Sequence, residues 1–425
     1  MKIINNKKIL LGFLTIILIF SAYLLLLNYN TKEIAVLSSQ TTSVSLNLPK
    51  NCKLENESKD LKVNGKSNSE YKIDDDKIKV YSNSTGKYKL KAKLFGLIPI
   101  NNYNINVIPN VKLFPSGSLV GVNMNTKGAI AVQFQSFINK DDDEVCPAKE
   151  AGIRMGDIIL EIDGNKVYNA TEVINELNKI THKEVSMVIK RENTEQTIKI
   201  LPEKAKKDNK YKIGLWVRDS VAGIGTLTCY NEDMTRFVAL GHSINDVDTG
   251  IIMPVKNGDV IESELISIVK GRRNSPGELR GVLKADKKDV IGSINLNNDY
   301  GIYGDVTKKS ASSGKALNIL LQDKIKEGDA QILTTVDGSG PRLFDIKIKK
   351  TYRQTKKNTK SMLIEVTDKE LLSKTGGIVQ GMSGSPIIQD GKLVGAVTHV
   401  FISDSTKGYG IYIEWLLEDL LTKQN

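Results

Sequence analysis

The chain has 425 residues, of which 26% are charged and 40% hydrophobic, and its formal net charge is +11. The excess is spread over dispersed lysines, and the few aromatics form no reader motif; this argues against nucleic acid and leaves anionic membranes or acidic partners. Three widely spaced cysteines, Cys52, Cys146 and Cys229, exclude a disulfide framework and a Cys/His metal site. With no phosphate-binding loop, dinucleotide fingerprint or His-Glu-x-x-His either, no cofactor or metal is expected.

Lys2, Lys7 and Lys8 precede an apolar run over 9–27, broken only by Gly12, Thr15 and Ser21. The run is long enough to cross a bilayer, and no Ala-x-Ala cleavage pattern follows it. Residues 1–30 are therefore expected to be a cytoplasmic N-terminus and membrane anchor, a cleaved signal peptide being the alternative. Basic residues stay on the cytoplasmic side, so the remainder is expected outside the cytoplasm.

Residues 31–109 alternate in the manner of half-buried strands: Val44, Leu46 and Leu48, then Tyr88, Leu90, Ala92 and Leu94, then Tyr103, Ile105 and Val107. A small all-β spacer domain without chemistry is the expectation, ending at Ile108-Pro109. The acidic run Asp141-Asp142-Asp143-Glu144 reads as a solvated loop.

The segment 110–203 contains Ala151-Gly152-Ile153-Arg154-Met155-Gly156-Asp157-Ile158-Ile159-Leu160-Glu161-Ile162-Asp163-Gly164. A helix is expected from about Asn169, with Val173, Ile174 and Leu177 on one face, and then a strand from Val185 to Ile189. This pattern resembles a PDZ domain of the bacterial protease type. Such domains capture a peptide end by adding it as a strand and holding its carboxylate on backbone N–H groups. By position, Leu119, Val120, Gly121 and Val122 are expected to form that loop and edge. His182 reads as a solvated turn residue.

From 204 to 425 short apolar runs and frequent glycines indicate barrels, and Ile413, Leu416, Leu417 and Leu420 mark one face of a closing helix. Within this region stands Gly381-Met382-Ser383-Gly384-Ser385-Pro386. Glycines beside a serine let a substrate carbonyl approach and let backbone N–H groups turn inward. A serine hydroxyl needs a base within reach, and histidine suits the task. His242, in Gly241-His242-Ser243, precedes the serine as the base does in chymotrypsin-like chains; His399 is the competitor. Asp246, Asp248, Asp286, Asp305 and Asp368 all lie in the interval allowed for an orienting acid, and spacing selects none of them. The main-chain N–H groups of Gly381 and Ser383 are the expected oxyanion hole, and Ser385 reads as a turn residue. The overall expectation is a mainly β chain ending in a chymotrypsin-like double β-barrel with a C-terminal helix.

The order anchor, β spacer, PDZ, peptidase, with Thr375-Gly376-Gly377-Ile378-Val379-Gln380 leading into the serine motif and Gly391 to Val400 following it, resembles the stage IV sporulation protein B family. The resemblance implies a membrane-anchored serine endopeptidase released by the forespore into the space between the forespore and mother-cell membranes. It would cleave itself and a membrane-bound regulator of the intramembrane protease that processes pro-sigma-K, with the PDZ domain binding peptide ends, its own included, to gate activity. It assigns base, acid and nucleophile to His242, Asp368 and Ser383, although Asp368 stands closer to the serine than the chymotrypsin acid does. The alternatives are an inactive PDZ scaffold and a quality-control protease of the HtrA kind; the latter places its PDZ after the protease.

Overall fold

In this computed structural model residues 12, 14, 15, 17, 18, 21 and 31–422 are described, except 73–76, 180–183, 285 and 308–313. Most of the expected anchor, and His182, lie outside the described residues; among those described, no helix is long and apolar enough to cross a membrane. The chain forms two compact units, one running to Val111 with Leu321–Lys324 and Arg353–Lys357, the other Lys112–Leu320, Ile325–Tyr352 and Asn358–Asn425.

The first unit is all β. A five-stranded sheet runs Lys32–Leu37, Ile98–Ile108, Gly86–Leu94, Cys52–Asn56 and Ser69–Lys72, and a three-stranded sheet joins Thr42–Ser45, Lys77–Tyr81 and Lys62–Val63. Alternate residues such as Leu46, Leu54, Leu90 and Ile105 meet in one core, and the Tyr103 hydroxyl donates to the Leu46 carbonyl at 2.9 Å.

The second unit starts on an unusually long strand, β1 (Leu119–Phe134). Its far half enters a small sheet with β2 (Ile158–Ile162), β3 (Val185–Arg191) and β4 (Thr194–Ile200), and helix α1 (Ala170–Asn178) packs on it. Asn169 caps α1, its side chain accepting from Glu172 N–H at 2.8 Å. Val173 and Leu177 face the core, but Ile174, expected beside them, is 54% exposed. The chain returns along β5 (Leu215–Tyr230), antiparallel to β1 over nearly its whole length, from Phe134↔Leu215 to Leu119↔Thr226. The PDZ-like sheet thus sits at the far end of a two-stranded ribbon.

The near end of that ribbon closes a barrel. With β6 (Arg236–Ala239), β7 (Val255–Val269), β9 (Val290–Asn298) and β10 (Gly301–Val306), the order is β1-β7-β9-β10-β6-β5, and β5 pairs back onto β1. Strand β8 (Glu278–Leu283) extends β7 into a hairpin arm. A second closed barrel follows, β11 (Gly328–Thr335), β12 (Pro341–Thr351), β13 (Met362–Val366), β16 (Asp404–Tyr412), β15 (Lys392–Phe401) and β14 (Pro386–Gln389) in that order. Helix α2 (Lys369–Thr375) leads to the serine motif, and α3 (Ile413–Leu421) ends the fold. Ile332, Phe344, Ile346, Ile364 and Ile387 fill the second barrel, each buried side chain contributing about 1.5–3 kcal/mol.

Strand pairing corrects the expected boundaries. The first barrel begins with β1, well upstream of residue 204, and the PDZ-like sheet is inserted within it. Leu119, Val120, Gly121 and Val122 are hydrogen-bonded on one side to β5 and from Val120 onward on the other to β7, so no edge remains there for a peptide.

Candidate active site

Ser383 and His242 come from different barrels and meet in one cavity of about 430 Å³, which His399 also lines. The serine turn is held from several sides. Gly384, at φ 95°, has no room for a side chain: a Cβ there would lie 2.1 Å from the Thr226 carbonyl oxygen. The Ser385 hydroxyl bonds back to the Met382 carbonyl at 2.7 Å and to Thr334 Oγ1 at 3.0 Å. Among the described residues neither Gly381 N–H nor Ser383 N–H is engaged in a hydrogen bond, so both remain open to a ligand.

His242 follows a tight turn in which Leu240 adopts φ 70°, a left-handed conformation that costs a non-glycine residue about 1–3 kcal/mol. Two bonds hold that turn, Leu240 N–H to the Thr226 carbonyl at 3.2 Å and Gly241 N–H to the Ala239 carbonyl at 2.9 Å. Beyond the histidine, Asn297 accepts from Ile244 N–H at 2.9 Å and donates to the Ile244 and Met253 carbonyls at 2.8 and 2.9 Å.

The ring itself is oriented by the backbone. Nδ1 lies 2.8 Å from the Ser243 carbonyl oxygen, which can only accept. Nδ1 must therefore carry the proton, leaving the Nε2 lone pair of a neutral ring free to act as a base. Burial lowers the His242 pKa, partly offset by that bond, so the ring is neutral at pH 7. His399 lies with its ring centroid 5.3 Å away, and burial, then the neighbouring His242, lowers its pKa to about 4. Ser383 Oγ donates to the Thr398 carbonyl at 2.8 Å, so the hydroxyl is parked on β15 rather than on the imidazole.

A family model described as SpoIVB peptidase S55 matches residues 209–417, and a PDZ domain model matches 143–191. The chain thus carries a SpoIVB peptidase S55 domain over 209–417. It is a serine peptidase that carries a PDZ domain. A curated relative, the regulator of sigma-W protease RasP of Bacillus subtilis, is 36% identical over 67 residues, which span 16% of each chain. Among solved structures, the active form of the Rv3671c protease from M. tuberculosis shares 16% identity, with 48% of this chain and 76% of that one covered at a TM-score of 0.27. The PDZ domain of an SdrC-like protein from Listeria monocytogenes shares 25%, covering 21% of this chain and 87% of its own at a TM-score of 0.18.

Asp368 stands elsewhere in this S55 domain. Its carboxylate caps α2, accepting from Leu371 N–H at 2.9 Å and from Asp345 N–H at 3.4 Å, and it does not line the cavity. The other candidate acids are also engaged away from the imidazole. Asp286 pairs with Lys288, and Asp305 accepts from Asn295 at 2.7 Å. Asp246, 2% exposed, accepts from Thr249 N–H and Oγ1, both at 2.8 Å, and from Arg218, which also holds Asp248 at 2.7 Å. Among the described residues no carboxylate hydrogen-bonds His242.

Val122 lines the cavity shared by Ser383 and His242 instead of a peptide edge. The PDZ sheet has two edge strands, β4 and residues 215–219 of β5; the latter pair with β1 on one side only and run beside α1. Asp219 ties β5 to α1, accepting from Ala170 N–H at 2.8 Å. Sequence reasoning missed this edge, although Gly214-Leu215-Trp216-Val217, a glycine at φ 73° followed by three strand formers with Trp216 57% exposed, was the available signal.

Proposed function

We propose that the protein is an extracytoplasmic, membrane-anchored serine endopeptidase with Ser383 as nucleophile and His242 as general base. The single observation that carries this reading is the meeting of Ser383, His242 and two unpaired amides in one cavity. A substrate strand laid along β15 would compete for the Thr398 carbonyl and free the serine hydroxyl. Oγ then attacks the scissile carbonyl while its proton passes to His242 Nε2. The oxyanion is received by the N–H groups of Gly381 and Ser383, and the imidazolium returns the proton to the leaving amine. Water, activated by the same base, hydrolyses the acyl-enzyme. The Ser243 carbonyl does the orienting work that an acid does elsewhere, supported by its 2.8 Å bond to Nδ1.

Among the described residues no charged side chain lines the cavity, whose walls include Ile224, Ile378, Val379 and Val400, so substrates with an apolar residue before the cut are preferred. In the PDZ domain the edge at 215–219 takes an extended peptide end by strand addition, and β5 carries its occupancy toward the catalytic centre. The S55 domain supports a sporulation role: cleavage of the protein itself and of a membrane-bound regulator, allowing an intramembrane protease to process pro-sigma-K. Ser383→Ala and His242→Ala are expected to abolish self-cleavage and labelling by a fluorophosphonate with the melting temperature retained. Labelling of the Ser383→Ala protein would sink the assignment. The parked hydroxyl favours a second reading, an inactive PDZ scaffold, and a native protein that fails to label in the presence of peptide would establish it.

A further inference from the structure

Thr226 lies on β5, 1% exposed, where that strand passes under the serine turn. All of its hydrogen-bonding groups go to the catalytic centre. Its hydroxyl donates to the Gly381 carbonyl at 2.7 Å, its N–H to the Ser383 carbonyl at 3.0 Å, and its carbonyl accepts from Leu240 N–H at 3.2 Å.

The two amides open to an oxyanion belong to the peptide planes 380–381 and 382–383. Each plane is rigid, so fixing its carbonyl fixes its N–H. The first is held by Leu279 N–H on the Gln380 carbonyl at 2.8 Å, the second by Ser385 N–H on the Met382 carbonyl at 3.0 Å. Between them lies the Gly381–Met382 plane, whose orientation sets whether the two N–H groups converge. It is tethered at its nitrogen to the Val379 carbonyl at 3.1 Å and at its oxygen to the Thr226 hydroxyl. Gly381, at φ 94°, has no Cβ to resist a flip of that plane.

We propose that the Thr226 hydroxyl is a positioning group for the peptidase reaction, holding the Gly381–Met382 peptide so that the N–H groups of Gly381 and Ser383 converge on the oxyanion. The role rests on Ser383 being the nucleophile. Because β5 also forms an open PDZ edge at 215–219, the same strand that would hold a bound peptide carries the oxyanion hole's tether.

The test compares Thr226→Val, Thr226→Ser and Ser383→Ala in purified protein, with a fluorophosphonate as probe. Thr226→Val is expected to lower the inactivation rate constant on the order of 10²-fold, with the probe's binding constant unchanged. Thr226→Ser is expected to label within about 3-fold of the native protein, because it keeps the donor. A merely structural role would move the melting temperature and probe binding, and serine would not rescue. Valine labelling at the native rate, or serine labelling no faster than valine, overturns the proposal. Labelling of Ser383→Ala overturns the nucleophile instead. Should Thr226→Val not fold, Thr226→Cys decides: its weak donor is expected to slow labelling at least about 10-fold, and a native rate refutes the role.

Discussion

Asp368 offers the sharpest test, because its two possible roles differ by orders of magnitude. As the N-cap of α2 its carboxylate satisfies Leu371 N–H at 2.9 Å, with a longer contact to Asp345 N–H at 3.4 Å. Asparagine keeps an acceptor at the same place, so Asp368→Asn forfeits only the charge at the helix N-terminus, about 0.3–1 kcal/mol. Asp368→Ala also loses the cap, for a total of about 1–2 kcal/mol. Neither change reaches the cavity, so both variants should label with a fluorophosphonate at near-native rates at a temperature well below melting. Were Asp368 the orienting acid, the asparagine variant would instead lose about 10⁴ in kcat, by fixing the wrong imidazole tautomer. Thermal melts followed by circular dichroism, together with labelling and self-cleavage rates, separate the outcomes. A thousand-fold loss of activity in Asp368→Asn with an unchanged melting temperature refutes the reasoning.

Arg218, on the PDZ end of β5, reaches the carboxylate of Asp246 in the loop after His242. Arg218→Met removes a charge-assisted bond and should cost about 1.5–3 kcal/mol, non-additively with Asp246→Asn in a double-mutant cycle of melting free energies. Burial raises the Asp246 pKa, but bonds from Thr249 and Arg218 outweigh it and leave it below the ordinary value. The stability it contributes is therefore present above about pH 4 and lost as pH falls through the lowered pKa, which an acid titration of the melting temperature reads. Both histidines move the same way for a different reason: their folded pKa values lie below 6.5, so the unfolded chain binds more protons beneath that pH. Stability should fall as pH drops from about 6.5 toward 4, and His399→Gln should flatten that slope. The acid limb of peptidase activity should lie below pH 6.5 and vanish from the profile only with His242. Gly384→Ala places a methyl 2.1 Å from the Thr226 carbonyl oxygen and 2.6 Å from Leu240 N, so it should cost about 3 kcal/mol or more and abolish labelling.

Local structure is legible in the order of the residues alone. Alternating apolar residues mark the half-buried strands, as at Leu90 and Ala92 or Ile346 and Ile348, and the glycines around Ser383 mark a turn that only small residues can make. The histidines were few enough to name the cavity's two rings before any geometry. Partnership between strands and between side chains emerges only in the folded chain. A strand's alternation says which face is buried but not which strands lie beside it, and β pairing joins residues far apart in the chain. For that reason Leu119–Phe134 could be read as the start of a PDZ domain, although its near half lies within a barrel and only its far half is in the PDZ sheet. The strand edge beside the PDZ helix lies on β5, and Asp368 at a helix cap, by the same logic. The hydroxyl of Thr226 carried no sequence signal at all, since its role exists only where a strand of the first barrel passes under a turn of the second.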